Sequence, residues 1–252
     1  MKKLCPNRGA WRPRLMAFAL ASATLAMPAT ASVVMNGTRF VYRANEKEIT
    51  VKVSNVGKLP ALTQAWIDNG DPTATPETVD VPFNLTPPIA RLEAGKSQTL
   101  RVAYTGEALP TDRESQFWIN VLEVPPKPEH AEEDGGQVQL AFRYRLKLFY
   151  RPKGLPGTAE AAAAGLSWRR TAGGIAVSND SAFHVTVNEL TLTAGGSAVD
   201  AEPFAIAPHA AHVLPLAAHD VARKGIDVAF STINDYGGFV THKAALPAIE
   251  GP

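Results

Sequence analysis

The chain has 252 residues but only one cysteine, Cys5, so it has no disulfide framework. Its apolar run from Leu15 to Leu25 is too short for a helix that spans a bilayer, which needs about 20 residues, so we expect no stable membrane insertion. A glycine-rich phosphate loop, a GxSxG nucleophile elbow and an HExxH metal motif are all missing. The sequence therefore favours a protein that is not an enzyme and binds no cofactor.

The first 31 residues are typical of a signal peptide. Five basic residues precede the apolar run, and Ala29-Thr30-Ala31 then forms a small-x-small cleavage pattern. An uncleaved anchor is the alternative, but the apolar run is short for that purpose. Cleavage after Ala31 would remove Cys5 and leave 221 residues, enough for two domains.

The predicted mature chain has a formal charge of −4, because 20 Lys and Arg residues face 24 Asp and Glu residues. This balance gives no general attraction for nucleic acid. Without cysteines in an oxidising compartment, the chain must be stabilised by its apolar cores.

Short alternating runs separated by turn residues predict an all-β protein with sandwich domains. In the first half these runs are Arg39–Tyr42, Ile49–Ser54, Leu62–Asp68, Phe83–Leu85, Gln98–Tyr104, Ser115–Glu123 and a long run that starts at Val138. In the second half they are Gly174–Val177, Val185–Leu192, Phe204–Ile206, His212–Leu214, Ile226–Phe230 and Val240–Leu246. We predict domains at residues 32–152 and 166–252, joined by a linker at 153–165 whose alanines could form a helical turn.

The long run, Val138 to Leu148, alternates apolar and polar residues with the period of a strand. At about eleven residues it is roughly twice the usual strand length. It could be the final strand of a sandwich with basic side chains on its wet face, or part of its apolar face could serve a partner. The preceding stretch, residues 125–136, is rich in proline, acidic residues and glycine and predicts a mobile loop.

Two groups of residues invite a metal interpretation, and we reject both. His209, His212 and His219 have no paired cysteine ligands, so surface or loop histidines are the better explanation. The segment DNGD at 68–71 lacks the later glutamate of a calcium loop and is typical of a turn.

Five motifs resemble those of the PapD-like periplasmic chaperones of the chaperone–usher pilus pathway. They occur in family order across most of the chain: QAWID at 64–68, TPPIARLEAG at 86–95, LPTDRESQFWIN at 109–120, LKLFYRP at 146–152 and INDYGG at 233–238. The resemblance implies two immunoglobulin-like β-sandwiches in an L shape with a cleft between them. It also implies a periplasmic protein that forms a one-to-one complex with a pilus or fimbrial subunit and delivers it to an outer-membrane usher.

The resemblance assigns roles to eight residues. The donor strand, which is lent to a subunit that lacks its last strand, would present Val138, Leu140 and Phe142. Arg39 and Lys147 would hold the terminal carboxylate of the subunit. Glu114, Arg151 and Asp235 would form an ion network between the domains. The absence of a cysteine pair and of a very long loop before the donor strand favours the short-loop branch. The remaining alternative is a sandwich-type pilus subunit or adhesin.

Overall fold

The structure is a computed structural model, and it describes residues 32–127, 139–171, 173–194, 197–215 and 225–246. The predicted signal peptide at 1–31, Val138 and most of the predicted loop at 125–136 lie outside the described residues. None of the helices in these described ranges is long and apolar enough to cross a membrane.

The first half of the chain forms an immunoglobulin-like β-sandwich. Its strands are β1 (Val33–Met35), β2 (Arg39–Arg43), β3 (Ile49–Asn55), β4 (Ala61–Asp68), β5 (Phe83–Thr86), β6 (Ile89–Leu92), β7 (Ser97–Tyr104), β8 (Ser115–Val124) and β9 (Phe142–Arg151). One sheet has the order β1-β3-β7-β5, and the other has the order β2-β9-β8-β4-β6. Alternate residues of both sheets, such as Val51, Val102, Ile119 and Leu148, fill one fully buried core between them.

The second half forms a second sandwich with its own core. Its elements are α1 (Ala159–Ala164), β10 (Ser167–Thr171), β11 (Gly174–Asn179), β12 (Val185–Ala194), β13 (Ser197–Ala201), β14 (Phe204–Ile206), β15 (Ala210–Pro215), β16 (Ile226–Ile233) and β17 (Phe239–Leu246). One sheet has the order β10-β11-β15. The other has the order β13-β12-β16-β17, with β14 also paired to β12. Ile175, Val177 and Val187 are fully buried between the sheets.

The predicted linker at 153–165 contains the short helix α1. Thr158 caps this helix, because its side chain accepts a hydrogen bond from the backbone N–H of Ala161. Ala162 is buried in the second core, and Leu155 packs against that core. The alanine tract is therefore a helical turn that packs with the second sandwich.

The sequence predicts a strand that starts at Val138. Val138 itself is not described, and for residues 139–141 the prediction is wrong. Residues 139–141 have no strand structure, and β9 begins at Phe142, which pairs with Glu123 of β8. The reason is that β8 ends at Val124, one residue beyond Glu123. An extended segment needs a neighbouring strand to satisfy its backbone hydrogen bonds, and in this register residues 139 and 140 lie beyond the last residue of β8.

Candidate functional site

The pairing of β2 with β9 places two cations side by side. These strands run parallel, and Arg39 is the register partner of Lys147. Phe40 packs on the core of the first sandwich and Leu148 is buried in it, so their neighbours Arg39 and Lys147 point away from that core. The two predicted cations therefore lie on the outer face of the β2-β9-β8-β4-β6 sheet, which faces the second sandwich.

Arg39 is only 9% exposed and lacks a carboxylate partner among the described residues. Its Nη1 donates to the backbone oxygen of Ile233, at the end of β16, at 2.8 Å. Its Nε is buried without a hydrogen-bond partner in the described part of the chain. Burial lowers the pKa of Arg39, and the negative charge of Asp235 partly opposes that effect. The guanidinium stays charged. Because its Nε has no partner in the described chain, this N–H group is available to an anion.

Lys147 is also a cation without a counter-ion in the described ranges. Its Nζ donates to Oγ1 of Thr186 on β12 at 2.9 Å and lies 5.7 Å from the centroid of the Trp118 ring. Burial, and then repulsion from Arg39, lower the pKa of Lys147 to about 8. An ammonium has three donors, and Thr186 takes one of them, so Lys147 retains donors for a further acceptor.

A small cleft lies between the sandwiches next to Arg39. Phe149 and Glu114 of the first sandwich line it together with His184, Ile233 and Asp235 of the second. Residues of both sandwiches thus form the walls beside Arg39.

The ion network that the resemblance implied is assembled in the structure. Arg151 donates through Nε to Oε1 of Glu114 at 2.6 Å, and through Nη1 and Nη2 to the carboxylate of Asp235 at 2.7 and 2.9 Å. Although burial lowers the pKa of Arg151, the hydrogen bonds to Asp235 and Glu114 raise it overall. Glu114 also accepts from the backbone N–H of His184 at 2.8 Å, so it ties the two sandwiches together directly.

The INDYGG motif forms the turn that presents Asp235. Oδ1 of Asn234 accepts from the backbone N–H groups of Tyr236 and Gly238, and the N–H of Asn234 donates to the backbone oxygen of Gly238. Gly237 has φ of 84°, and a Cβ at this position would lie 2.6 Å from Oγ1 of Thr38. Glycine is required here both by the backbone conformation and by the close approach of the first sandwich.

One edge of β9 is open where the donor strand is predicted. β8 pairs with β9 from Phe142 to Tyr150, whereas β2 pairs with the opposite edge only from Lys147 to Arg151. Residues 142–146 therefore have no strand on that opposite edge among the described elements. Leu140 is 57% exposed and Phe142 is 38% exposed, as expected of apolar side chains without a partner. Val138, the third predicted donor residue, lies outside the described residues.

Several residues around the site were not predicted from the sequence. Asp68, at the end of β4, is fully buried and accepts from Arg145 at 2.6 Å and from Asn120 at 2.7 Å. The guanidinium of Arg145 lies 4.6 Å from the Trp118 ring centroid. The alternation of Arg143, Arg145 and Lys147 in the long run was the available signal, but this alternation indicated only a polar face. Thr186 and the backbone oxygen of Ile233 left no signal in the sequence.

Of the residues considered as metal ligands, the structure describes His209, His212 and the segment 68–71. No cluster of three or more His, Cys, Asp or Glu side chains that could hold a metal occurs within the described ranges. His212 stacks on Phe204 with a centroid distance of 4.3 Å, and Oδ1 of Asp68 accepts from the backbone N–H of Gly70 as in a turn. His219 lies outside the described residues.

Comparison with known proteins identifies the family. Residues 32–156 match the N-terminal domain of the PapD-type pili and flagellar-assembly chaperones, and residues 161–244 match the C-terminal domain of the PapD pili assembly chaperones. The chain belongs to the PapD-like chaperone family. It is therefore not a sandwich-type pilus subunit or adhesin, which was the alternative from the sequence.

Individual relatives cover nearly the whole chain. The Bordetella pertussis chaperone FimB/FhaD is 45% identical over 247 residues, which are 94% of this chain and 98% of the relative. The crystal structure of the YadV chaperone has a TM-score of 0.74 at 36% identity, and the match covers 86% of this chain and 100% of that one. A chain in the complex of the Salmonella enterica SafA pilin with the SafB chaperone has a TM-score of 0.72 at 28% identity, and the match covers 87% of this chain and 99% of that one.

Proposed function

We propose that this PapD-like chaperone binds pilus or fimbrial subunits one-to-one by lending them the start of β9 and the segment before it, with Leu140 and Phe142 as donor side chains. The observation that carries the proposal is the position of the cation pair. Arg39 and Lys147 lie where β2 begins, and the open edge of β9 extends from this point toward Phe142. An added strand along that edge would thus meet two cations at one of its ends.

The same geometry predicts the direction of the added strand. A subunit whose terminal carboxylate lies at Arg39 and Lys147 must run along β9 in the direction from Phe142 to Leu146, which is parallel to β9. It would continue the line of β2, which is also parallel to β9. A carboxylate fixed at the cations would set the register, and a shift of one residue would turn the subunit's apolar side chains to the wrong face.

Two terms would stabilise the complex. Complete burial of an exposed Leu or Phe side chain is worth about 1.5 to 3 kcal/mol, and Leu140 and Phe142 would gain the share that corresponds to their exposed area, before the ordering of the segment is subtracted. The carboxylate adds charge-assisted hydrogen bonds of about 1.5 to 3 kcal/mol each to Arg39 and Lys147. Because neither cation has a carboxylate partner in the described chain, a bound subunit would replace no existing ion pair.

The network of Glu114, Arg151 and Asp235 would hold the two sandwiches at the angle that forms the cleft. Each of the three groups has a charged partner, so the network satisfies itself without a ligand. This separates it from the cation pair, whose members have only neutral partners. We therefore assign the network to domain geometry and the cation pair to binding.

The proposed location is the periplasm, since the sequence predicts a cleaved signal peptide and the family functions there. In this compartment the chaperone would cover the apolar groove of an incomplete subunit, prevent its aggregation and deliver it to an outer-membrane usher. Binding and folding of this kind require no catalytic group.

The test is capture of a subunit encoded with the chaperone, co-expressed in the periplasm and purified by a tag on the chaperone. We expect Arg39→Ala, Lys147→Ala and Phe142→Glu to fold, as judged by circular dichroism. The amount of one-to-one complex that co-purifies with each of them should fall at least about tenfold. Lys52→Ala and Val56→Glu are the matched controls, because both residues are exposed and distant from β9 in the strand order. Folded variants that capture the subunit as well as the controls do would refute strand lending by this segment.

A further inference from the structure

Glu123, near the end of β8, is a buried carboxylate without a cation. It is 3% exposed, and it accepts hydrogen bonds from the backbone N–H groups of Ser32 at 3.3 Å and Val33 at 3.2 Å. The hydroxyl groups of Ser32 and Tyr144 also donate to it, the latter at 3.1 Å. No Lys, Arg or His of the described chain forms an ion pair with Glu123. All of its donors are therefore neutral while Ser32 is an internal residue.

A buried carboxylate with only neutral partners is unfavourable, because burial removes the water that would stabilise its charge. Burial, and then the charge of Glu123, raise the pKa of Tyr144 to about 12, so this phenol remains a neutral donor. A positive charge next to Glu123 would offset this cost, and the backbone nitrogen of Ser32 is already one of its donors.

We propose that cleavage of the signal peptide supplies this charge, and that the new α-ammonium group of Ser32 forms an ion pair with Glu123. The inference goes beyond the chaperone function and rests on the predicted cleavage after Ala31. Hydrolysis of the Ala31–Ser32 peptide bond by a signal peptidase consumes one water, leaves a carboxylate on Ala31 and leaves an amine on Ser32. That amine takes up a proton to become an ammonium. The nitrogen that donates to Glu123 at 3.3 Å thus changes from a neutral amide to a cation.

The position of Glu123 connects this ion pair to the donor strand. Glu123 is the register partner of Phe142 in the ladder between β8 and β9, and Tyr144 lies two residues further along β9. Ser32 directly precedes β1, which pairs with β3 of the other sheet. The ion pair therefore ties the first residue of the mature chain to both sheets, next to the start of β9. Processing would stabilise this corner of the sandwich only after the signal peptide has been removed.

The test compares two forms of the protein, produced behind a removable N-terminal tag. One begins at Ser32, and the other retains Ala29–Ala31, which moves the terminal charge up to about 10 Å away. We expect the extension to lower the melting temperature of the wild type by about 3 to 6 °C and to leave that of Glu123→Gln unchanged. Glu93→Gln is the control, since Glu93 is an exposed carboxylate and this variant should respond as the wild type does.

A second measurement does not depend on the folding of a variant. The pKa of the Ser32 α-amino group, followed by NMR, should lie at least about one unit above its ordinary value of roughly 7.7. At neutral pH its acylation should then be about tenfold slower than that of an unperturbed α-amine. An ordinary pKa, or an extension that destabilises the wild type and Glu123→Gln equally, would overturn the proposal.

The cleavage itself is checked separately by the mass of the exported protein. A mass that corresponds to a chain starting at Ser32 supports the inference, and any other start removes the ammonium on which it depends. These measurements read stability and chemistry at the N-terminus. Their failure is therefore distinguishable from a failure of subunit capture at Arg39 and Lys147.

Discussion

Replacement of Asp235 by alanine tests whether the ion network stabilises the contact between the sandwiches. Asp235 holds Nη1 and Nη2 of Arg151 with a bidentate pair of hydrogen bonds at 2.7 and 2.9 Å. Its charge also opposes the effect of burial on Arg39. Asp235→Ala therefore leaves two partly or fully buried guanidinium groups with less negative charge nearby.

The expected loss follows from the burial of the pair. Breaking a fully buried ion pair by removing one partner costs about 3 to 5 kcal/mol. The side chains of Arg151 and Asp235 are 15% and 16% exposed, and Glu114 continues to hold Nε of Arg151. We therefore expect a smaller loss, about 2 kcal/mol, which lowers the melting temperature by roughly 4 to 8 °C in a chain of this size.

Differential scanning calorimetry measures the stability, and small-angle X-ray scattering reports the arrangement of the sandwiches. Arg91→Ala is the control, because it breaks an exposed ion pair with Glu93 that is worth less than about 1 kcal/mol. Asp235→Asn, which keeps the shape and part of the hydrogen bonding, should fall between the wild type and Asp235→Ala. If Asp235→Ala has the same melting temperature as the control and the same scattering profile as the wild type, the network has no structural role.

Further predictions concern the turn and the cation pair. Gly237→Ala should destabilise the protein by about 1 to 3 kcal/mol, because a side chain at φ of 84° is strained and its Cβ would meet Thr38. Gly70→Ala, with φ of 123° in open space, controls for the strain alone, and equal losses would argue against the contact. Subunit affinity should fall as the pH rises through about 8, because free Lys147 then loses the proton that the carboxylate requires. Lys147→Met should melt at a higher temperature than the wild type at pH 7 while it fails to capture subunit, and a lower melting temperature would contradict the unfavourable burial of this charge.

Residue periodicity predicted strands where one face is buried in a core. The run Phe204–Ile206 matches β14, and Ile49–Ser54 falls one residue short of β3. The strands that periodicity missed are short or exposed, and their sequences show little alternation. β1 has three residues, and four of the five side chains of β13 are exposed. An edge strand is held by backbone hydrogen bonds, for which the side-chain pattern gives no signal.

The long run starting at Val138 shows the opposite error. Alternation is a property of one segment, whereas a strand also needs a neighbour of the right length. Leu140 has the alternation but no neighbouring strand, so it remains outside β9. The absence of a neighbour was not visible in the sequence, although the excess length of the run suggested a partner.

Long-range proximity explains why residue properties alone did not identify the site. Glu114, Arg151 and Asp235 come from three distant segments. By residue type alone, none of them differs from an ordinary surface charge. Only the resemblance to PapD-like chaperones grouped them, and the ion pairs now give that grouping a geometry. A backbone acceptor such as the oxygen of Ile233 is independent of residue type, so it could not be assigned from the sequence.

The two cations Arg151 and Lys147 of β9 differ in how the folded chain stabilises them. Arg151 has two carboxylate partners, and they raise its pKa despite burial. Lys147 has a hydroxyl group and an aromatic ring, and burial with repulsion from Arg39 lowers its pKa to about 8. A buried charge without a counter-ion opposes folding. It also binds an incoming carboxylate more strongly than a solvated charge does, because much of its desolvation has already occurred. Under the proposed binding mode, the stability that the free protein loses at Arg39 and Lys147 would therefore be recovered when the subunit's terminal carboxylate supplies the missing negative charge.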